Sequence, residues 1–481
     1  MPQTFPRDTK EEENLSRSLR SLPASNPPPD DLEQDPFERR TAYWEGRYEI
    51  TPVLKYFVRR DHAAETEFSV LGPKVCSMLR TMKYDSFCVT CAHVGYEAET
   101  SSPCIIVIAT HFSDIDATNI IESIQASPER KHIARAFAYE GKWRGFKVDE
   151  SLLQQHQKHP QPGCSIGSSA APESSFSLNC FFRDTTSDNK QIYSLTVHHG
   201  VRVGSEPIPL HPEPPITIYQ PSRPDHDHAK KEIVQAIEQL ESSALSGPSL
   251  PANPQKQAEM LNLYKKDLEQ HCKIDIKFGG VVASSGFAHT MYNGRTHNED
   301  WAVIAVDQTR EGINYLRTDF MRRTTVGWRP HNCYGQYVSG IGDIQLDPER
   351  LIRKWGRTTA VTTDTIQLVY SHVKLPGVEG ETLEYTVTTK NMQFSARGDS
   401  GGPVLDLDNR LIGMVLGGTE GTPKLLKGHE RLGEVLCSYI TPIRFILERV
   451  QEVTNLRLVP VLVDLDQRVA DGEEIQWPFG V

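Results

Sequence analysis

The sequence predicts an α+β, multidomain chain: a small α/β domain, then an all-β sandwich or barrel interrupted by a helical hairpin. Three observations lead there. Apolar runs alternate with helical stripes across residues 41–153. From Cys164 onward, short strands separated by Gly, Asn and Asp take over. Two amphipathic stretches, 228–245 and 254–272, break that second style.

Residues 1–40 hold seven of the 32 prolines and a cluster of acidic side chains. They have little to bury and read as a disordered arm. In the leading domain, ITPVLKYFV (50–58), SPCIIVIAT (102–110) and IARAFAYEG are expected strands. VLGPKVCSMLRTM and DATNIIESIQAS are expected helices, the latter opening on a capping Asp. The role of this domain, bounded at 41–153, is not visible in the residues. QQHQKHPQPG (154–163) reads as a linker. The β-rich segment runs over 154–455, with the helical insert at 228–272, a closing helix at 440–453 and a tail at 456–481.

The chain has 481 residues and a net charge of -11, from 63 acidic and 52 basic side chains. That balance argues against nucleic-acid binding, which needs a basic face. No apolar run approaches the roughly 18 residues of a membrane helix, and the charged N-terminus has no apolar core of a secretory signal. Nine scattered cysteines then read as thiols of a reducing, cytoplasmic compartment. Cys88-Val-Thr-Cys91-Ala-His93 lacks the second close pair of a zinc site, so neither a metal nor a cofactor is expected.

The chemistry concentrates in SARGDSGGPVLDL, 395–407. Glycines around Ser400 allow a sharp turn and close approach of backbone to a substrate. The amides of Gly398 and Ser400 can converge on one point, which suits a developing oxyanion. A serine is a poor nucleophile alone and needs a histidine base, held in turn by a carboxylate. LTVHHGV puts His198 and His199 at a strand end. HNEDWAVIAV puts Glu299 and Asp300 at the start of another.

These motifs together resemble those of trypsin-like serine proteases. GDSGGP resembles the nucleophile motif, Thr196-Val-His-His199 the histidine segment and Asp300-Trp-Ala-Val-Ile the aspartate segment, in the family's order. KWGRTTAVTTDTI (354–366) is similar to a strand pair that precedes the serine in intracellular members. The resemblance covers about 163–453 and implies a double β-barrel and a serine endopeptidase acting on peptides or proteins. It assigns His199 as base, Asp300 as its orienter, Ser400 as nucleophile, and the Gly398 and Ser400 amides as oxyanion hole. Phe394, Leu416, Gly417 and Gly418 fall at substrate-pocket positions, which implies small or hydrophobic residues before the scissile bond.

The chain departs from the family pattern in three ways. The cysteines of secreted members are missing around the histidine and serine. The interval from His199 to Asp300 is long, and the insert accounts for it. No activation-site motif is present to supply a new N-terminus for the Asp399 carboxylate, which leaves Arg397 as a candidate cation. Two further readings follow. One is a catalytically silent pseudoprotease that binds peptides or a partner. The other is an enzyme controlled by a regulatory partner through the leading domain or the insert.

Overall fold

The computed structural model describes residues 55–57, 61–95, 101–143, 156–187, 190–245, 254–316, 336–344, 351–375, 378–389, 394–423 and 435–462. All of them belong to one compact unit. The expected disordered arm and most of the tail lie outside these residues. No described helix is long and apolar enough to cross a membrane.

The leading segment contains β1 (Lys55–Phe57), α1 (His62–Thr81), β2 (Phe87–Gly95), β3 (Ser102–Thr110), α2 (Asp114–Ala126) and β4 (Arg135–Trp143). β3 and β4 are parallel, a pairing that needs a crossover, and α2 supplies it. Phe68, Leu71, Val75 and Leu79 of α1 lie three or four residues apart, on one helical face. With Ile120, Ile121 and Ile124 of α2, they bury against Val89, Cys91, Ile105 and Val107 of the strands. Each such fully buried side chain contributes about 1.5–3 kcal/mol over exposure. The cap of α2 differs from expectation. Ser113, not an Asp, accepts the Asp116 amide at 3.1 Å, while Asp116 accepts the Ser113 hydroxyl in return. β2 has no counterpart among the strands expected from the sequence. Three residues apart on a strand, Cys88 and Cys91 point to opposite faces and cannot share an ion.

The next segment runs β5 (Ser165–Ser168), β6 (Ala171–Ser177), β7 (Phe181–Asp184), β8 (Ile192–Thr196), the short helix α3 (His198–Val201) and β9 (Thr217–Tyr219). The hairpin helices α4 (Arg223–Leu245) and α5 (Pro254–Lys273) follow. Then come β10 (Lys277–Ser284), β11 (Ala288–Tyr292), β12 (Arg295–Glu299) and β13 (Ala302–Val306). α4 begins five residues before the predicted start, where Ser222 Oγ accepts the Asp225 amide at 3.3 Å. The final segment holds β14 (Tyr315–Leu316), β15 (Gln336–Tyr337), β16 (Gly340–Ile341), β17 (Leu351–Gly356), β18 (Ala360–Thr365), β19 (Ser371–Lys374) and β20 (Thr382–Thr389). It ends with β21 (Pro403–Asp406), β22 (Arg410–Pro423), β23 (Val435–Pro442), α6 (Ile443–Thr454) and β24 (Leu458–Pro460).

Two large sheets result. One has the order β24-β7-β8-β13-β10-β9-β5-β6. The other has the order β18-β17-β21-β22-β23-β20-β19-β2-β3-β4, and β4 also pairs β22. The second sheet is therefore not built from the serine-bearing segment alone. β2 pairs β19 with Val89 opposite His372, and β4 lines the far end of β22 with Trp143 opposite Thr419. The physical reason is the edge: β22 outruns β21, and β19 offers a second open side, so the leading strands satisfy backbone groups that would otherwise be bare.

Candidate active site

The register of β8 against β13 builds the first half of the site. Thr196 stands opposite Ala302. His199 follows β8 closely and Asp300 just precedes β13, so adjacent strand ends deliver both. The His199 amide donates to Asp300 Oδ1 at 3.0 Å, and its ring Nδ1 lies 2.5 Å from Oδ2. The Asp300 side chain is buried, whereas the His199 ring is 38% exposed. With an acceptor carboxylate on Nδ1, that nitrogen carries the proton and Nε2 keeps its lone pair. Burial pulls the His199 pKa down, but the charge and hydrogen bond of Asp300 outweigh it and hold the group above its ordinary 6.5.

The two neighbouring rivals are engaged elsewhere. His198 is buried, with Nδ1 2.8 Å from Ser284 Oγ and Nε2 3.0 Å from the Gly204 carbonyl. A carbonyl only accepts, so Nε2 donates and Nδ1 accepts from the hydroxyl. Glu299 accepts from Arg449 Nε at 2.9 Å and from Trp301 Nε1 at 3.3 Å.

Ser400 sits in the turn between Ala396 and β21. His199, Asp300, Gly398 and Ser400 line one cavity of about 470 Å³, together with Leu416, Gly417 and Gly418. Among the described residues, no hydrogen bond joins Ser400 Oγ to the His199 ring. The Ser400 carbonyl accepts from the Ser177 amide at 2.9 Å, which pins the turn to β6. Gly398 has φ +93°, and a Cβ there would collide with Arg357 Nη1, so both conformation and space require glycine. Phe394 does not line the cavity. It is buried among Ile352, Val404, Ile412 and Ile440, and Ser395 takes the place at the wall.

Asp399 is wholly buried and faces away from the cavity into a ring of donors. Lys354 Nζ lies 2.9 Å from Oδ2, and Thr359 Oγ1 and the Ala396 amide donate to the same oxygen at 2.6 and 2.9 Å. The Thr358 amide donates to Oδ1 at 2.7 Å. Burial alone raises this carboxyl's pKa; Lys354 and the donors more than reverse that and hold it below its ordinary value. The cation is therefore Lys354, not Arg397, which instead lines the cavity. Sequence reasoning missed this residue. Its signal was the lysine that opens KWGRTTAVTTDTI (354–366), in a strand otherwise destined for burial.

A second buried ion pair supports the same turn from outside. Arg357 Nε donates to Asp225 Oδ2 at 2.7 Å and Nη2 contacts Oδ1, with Ser165 Oγ adding 2.5 Å to Oδ2. Arg357 and Asp225 are both buried. The Arg357 amide donates to Ser177 Oγ, which donates on to the Gly398 carbonyl at 2.8 Å. The first turn of α4 is thus linked, through one arginine and one serine, to the turn that holds Ser400.

Residues 278–428 match the family model described as Trypsin, a stretch that includes Asp300 and Ser400. No curated protein matches the chain. A solved structure of a glutamic-acid-specific serine protease, described as using a novel histidine triad in substrate binding, is similar at 13% identity and TM-score 0.32. That match covers 63% of this chain and all of the other.

Proposed function

We propose that this chain, which carries a trypsin-like serine-protease segment, is a serine endopeptidase working through His199, Asp300 and Ser400. The observation that carries the reading is the doubled bond from Asp300 to the His199 amide and ring, facing a cavity that Ser400 shares. Substrate binding brings the Ser400 hydroxyl to the His199 Nε2 lone pair, a contact that often tightens only when substrate is present. Ser400 Oγ then attacks the peptide carbonyl as Nε2 takes its proton. Asp300 stabilises the resulting imidazolium. The oxyanion forms beside the Gly398 and Ser400 amides, neither of which has a protein acceptor among the described residues. Collapse expels the amine with the proton from His199 and leaves an acyl-enzyme. Water, activated by the same ring, hydrolyses it.

Apolar walls from Leu416, Phe176 and Phe287 favour small or hydrophobic side chains before the scissile bond. None of the eight described cysteines forms a disulfide, which supports a reducing compartment such as the cytoplasm. A fluorophosphonate probe tests the reading: wild-type protein is labelled and Ser400→Ala is not. Folded wild-type protein that resists labelling would favour the peptide-binding, silent alternative.

A further inference from the structure

Away from the cavity, helix α1 crosses the β19–β20 hairpin, and three ligand-type side chains meet there. Cys76 of α1 is wholly buried. His372 lies in β19, and Glu381 immediately precedes β20. The Cys76 Sγ, a ring nitrogen of His372 and a carboxylate oxygen of Glu381 all lie within 4.8 Å of one another. Nδ1 is the nitrogen that faces the group, 4.0 Å from Glu381 Oε1. Nε2 instead lies against Gly72, one turn before Cys76, where an added Cβ would come within 3.1 Å of it. Glu381 uses its two oxygens differently. Oε1 contacts Arg80 Nη1 at 3.4 Å, while Oε2 is buried without a hydrogen bond of normal geometry, and the Cys76 thiol is the donor beside the carboxylate. A buried carboxylate supported by so weak a donor is costly unless a cation reaches it.

Thiolate, imidazole and carboxylate form a zinc-type donor set. Bond lengths of about 2.0–2.3 Å put tetrahedral ligand atoms roughly 3.3–3.8 Å apart, so a closure of about 1 Å converts this cluster into a first coordination shell. We propose that Cys76, His372 and Glu381 bind a divalent cation of the zinc class, with the fourth position open to water. This revises the expectation that the chain takes no metal. Burial holds the Cys76 thiol protonated in the free protein, so binding releases one proton to solvent. Thiolate and carboxylate then balance the two positive charges. The ion would tie α1 of the leading segment to the strands that continue toward β23.

Cobalt(II) tests this on the full chain after removal of metal with a chelator. The expected result is a thiolate-to-cobalt charge-transfer band with the visible bands of tetrahedral cobalt, both displaced by zinc. Cys76→Ser loses the charge-transfer band, whereas Cys272→Ser, at the exposed thiol, retains it. If circular dichroism shows Cys76→Ser unfolded, His372→Gln is read instead and loses the tetrahedral bands. Folded wild-type protein that shows no band, or a band that survives Cys76→Ser in folded protein, overturns the assignment.

Discussion

Lys354 occupies the position on which the serine turn depends. Its ammonium and Asp399 are both fully buried and face each other at 2.9 Å. Removing one member of such a pair leaves an uncompensated buried charge, a cost of about 3–5 kcal/mol. Lys354→Met is therefore expected to lower unfolding stability in urea by that order and to abolish fluorophosphonate labelling. Arg397→Ala is expected to keep both stability and labelling. The reverse pattern would return the Asp399 partnership to Arg397. In the proposed reaction the neutral form of His199 is the base. Its pKa is held above 6.5, so kcat/KM should fall on the acid side of a midpoint above that value. Its stability linkage has the opposite sign: a raised pKa contributes stability below the ordinary imidazole value, lost as pH rises through the raised one. Asp300→Asn should lower kcat by about 10⁴ and move the acid midpoint down. An unchanged midpoint would show that Asp300 does not act on this ring. The motifs of His199, Asp300 and Ser400 were legible because glycine turns and strand-end residues are local in sequence. Lys354 was not, because a lysine reads as a surface residue until its strand is placed in three dimensions.

At the scale of elements, the helical hairpin is more than an addition to a loop. The first turn of α4 supplies Asp225 to Arg357, and Arg357 reaches the Gly398 carbonyl through Ser177. Asp225→Asn should slow labelling of Ser400 while leaving the outer length of the hairpin helical by circular dichroism. Labelling at the wild-type rate would reduce the pair to an anchor for the hairpin alone. The two helices themselves were plain from their apolar stripes. Their start was not, because Arg223 to Asp227 has no apolar stripe, and only the pairing of the buried Asp225 with Arg357 shows that the first turn is anchored.

The molecule's second sheet crosses the division drawn at residues 153 and 154. β2 pairs β19, β4 pairs β22 and β3 joins the two, all in the sheet that holds β21 after the serine turn. Backbone pairing of this kind leaves little trace in side-chain type, so the sequence showed a separate α/β unit where the strands form a continuous sheet. Truncation before residue 156 removes these strands and bares β19 and the far half of β22. The shortened chain is expected to be aggregated or unfolded by size-exclusion chromatography and circular dichroism. A soluble, labelled fragment would instead make the leading segment a dispensable or inhibitory domain. Every step of the proposed reaction requires Ser400 to act as an activated nucleophile. Mass spectrometry of the full chain after fluorophosphonate treatment tests that most directly. The predicted result is one adduct on the peptide bearing Ser400, absent in His199→Ala. An adduct on another residue, or none on folded protein, would contradict it.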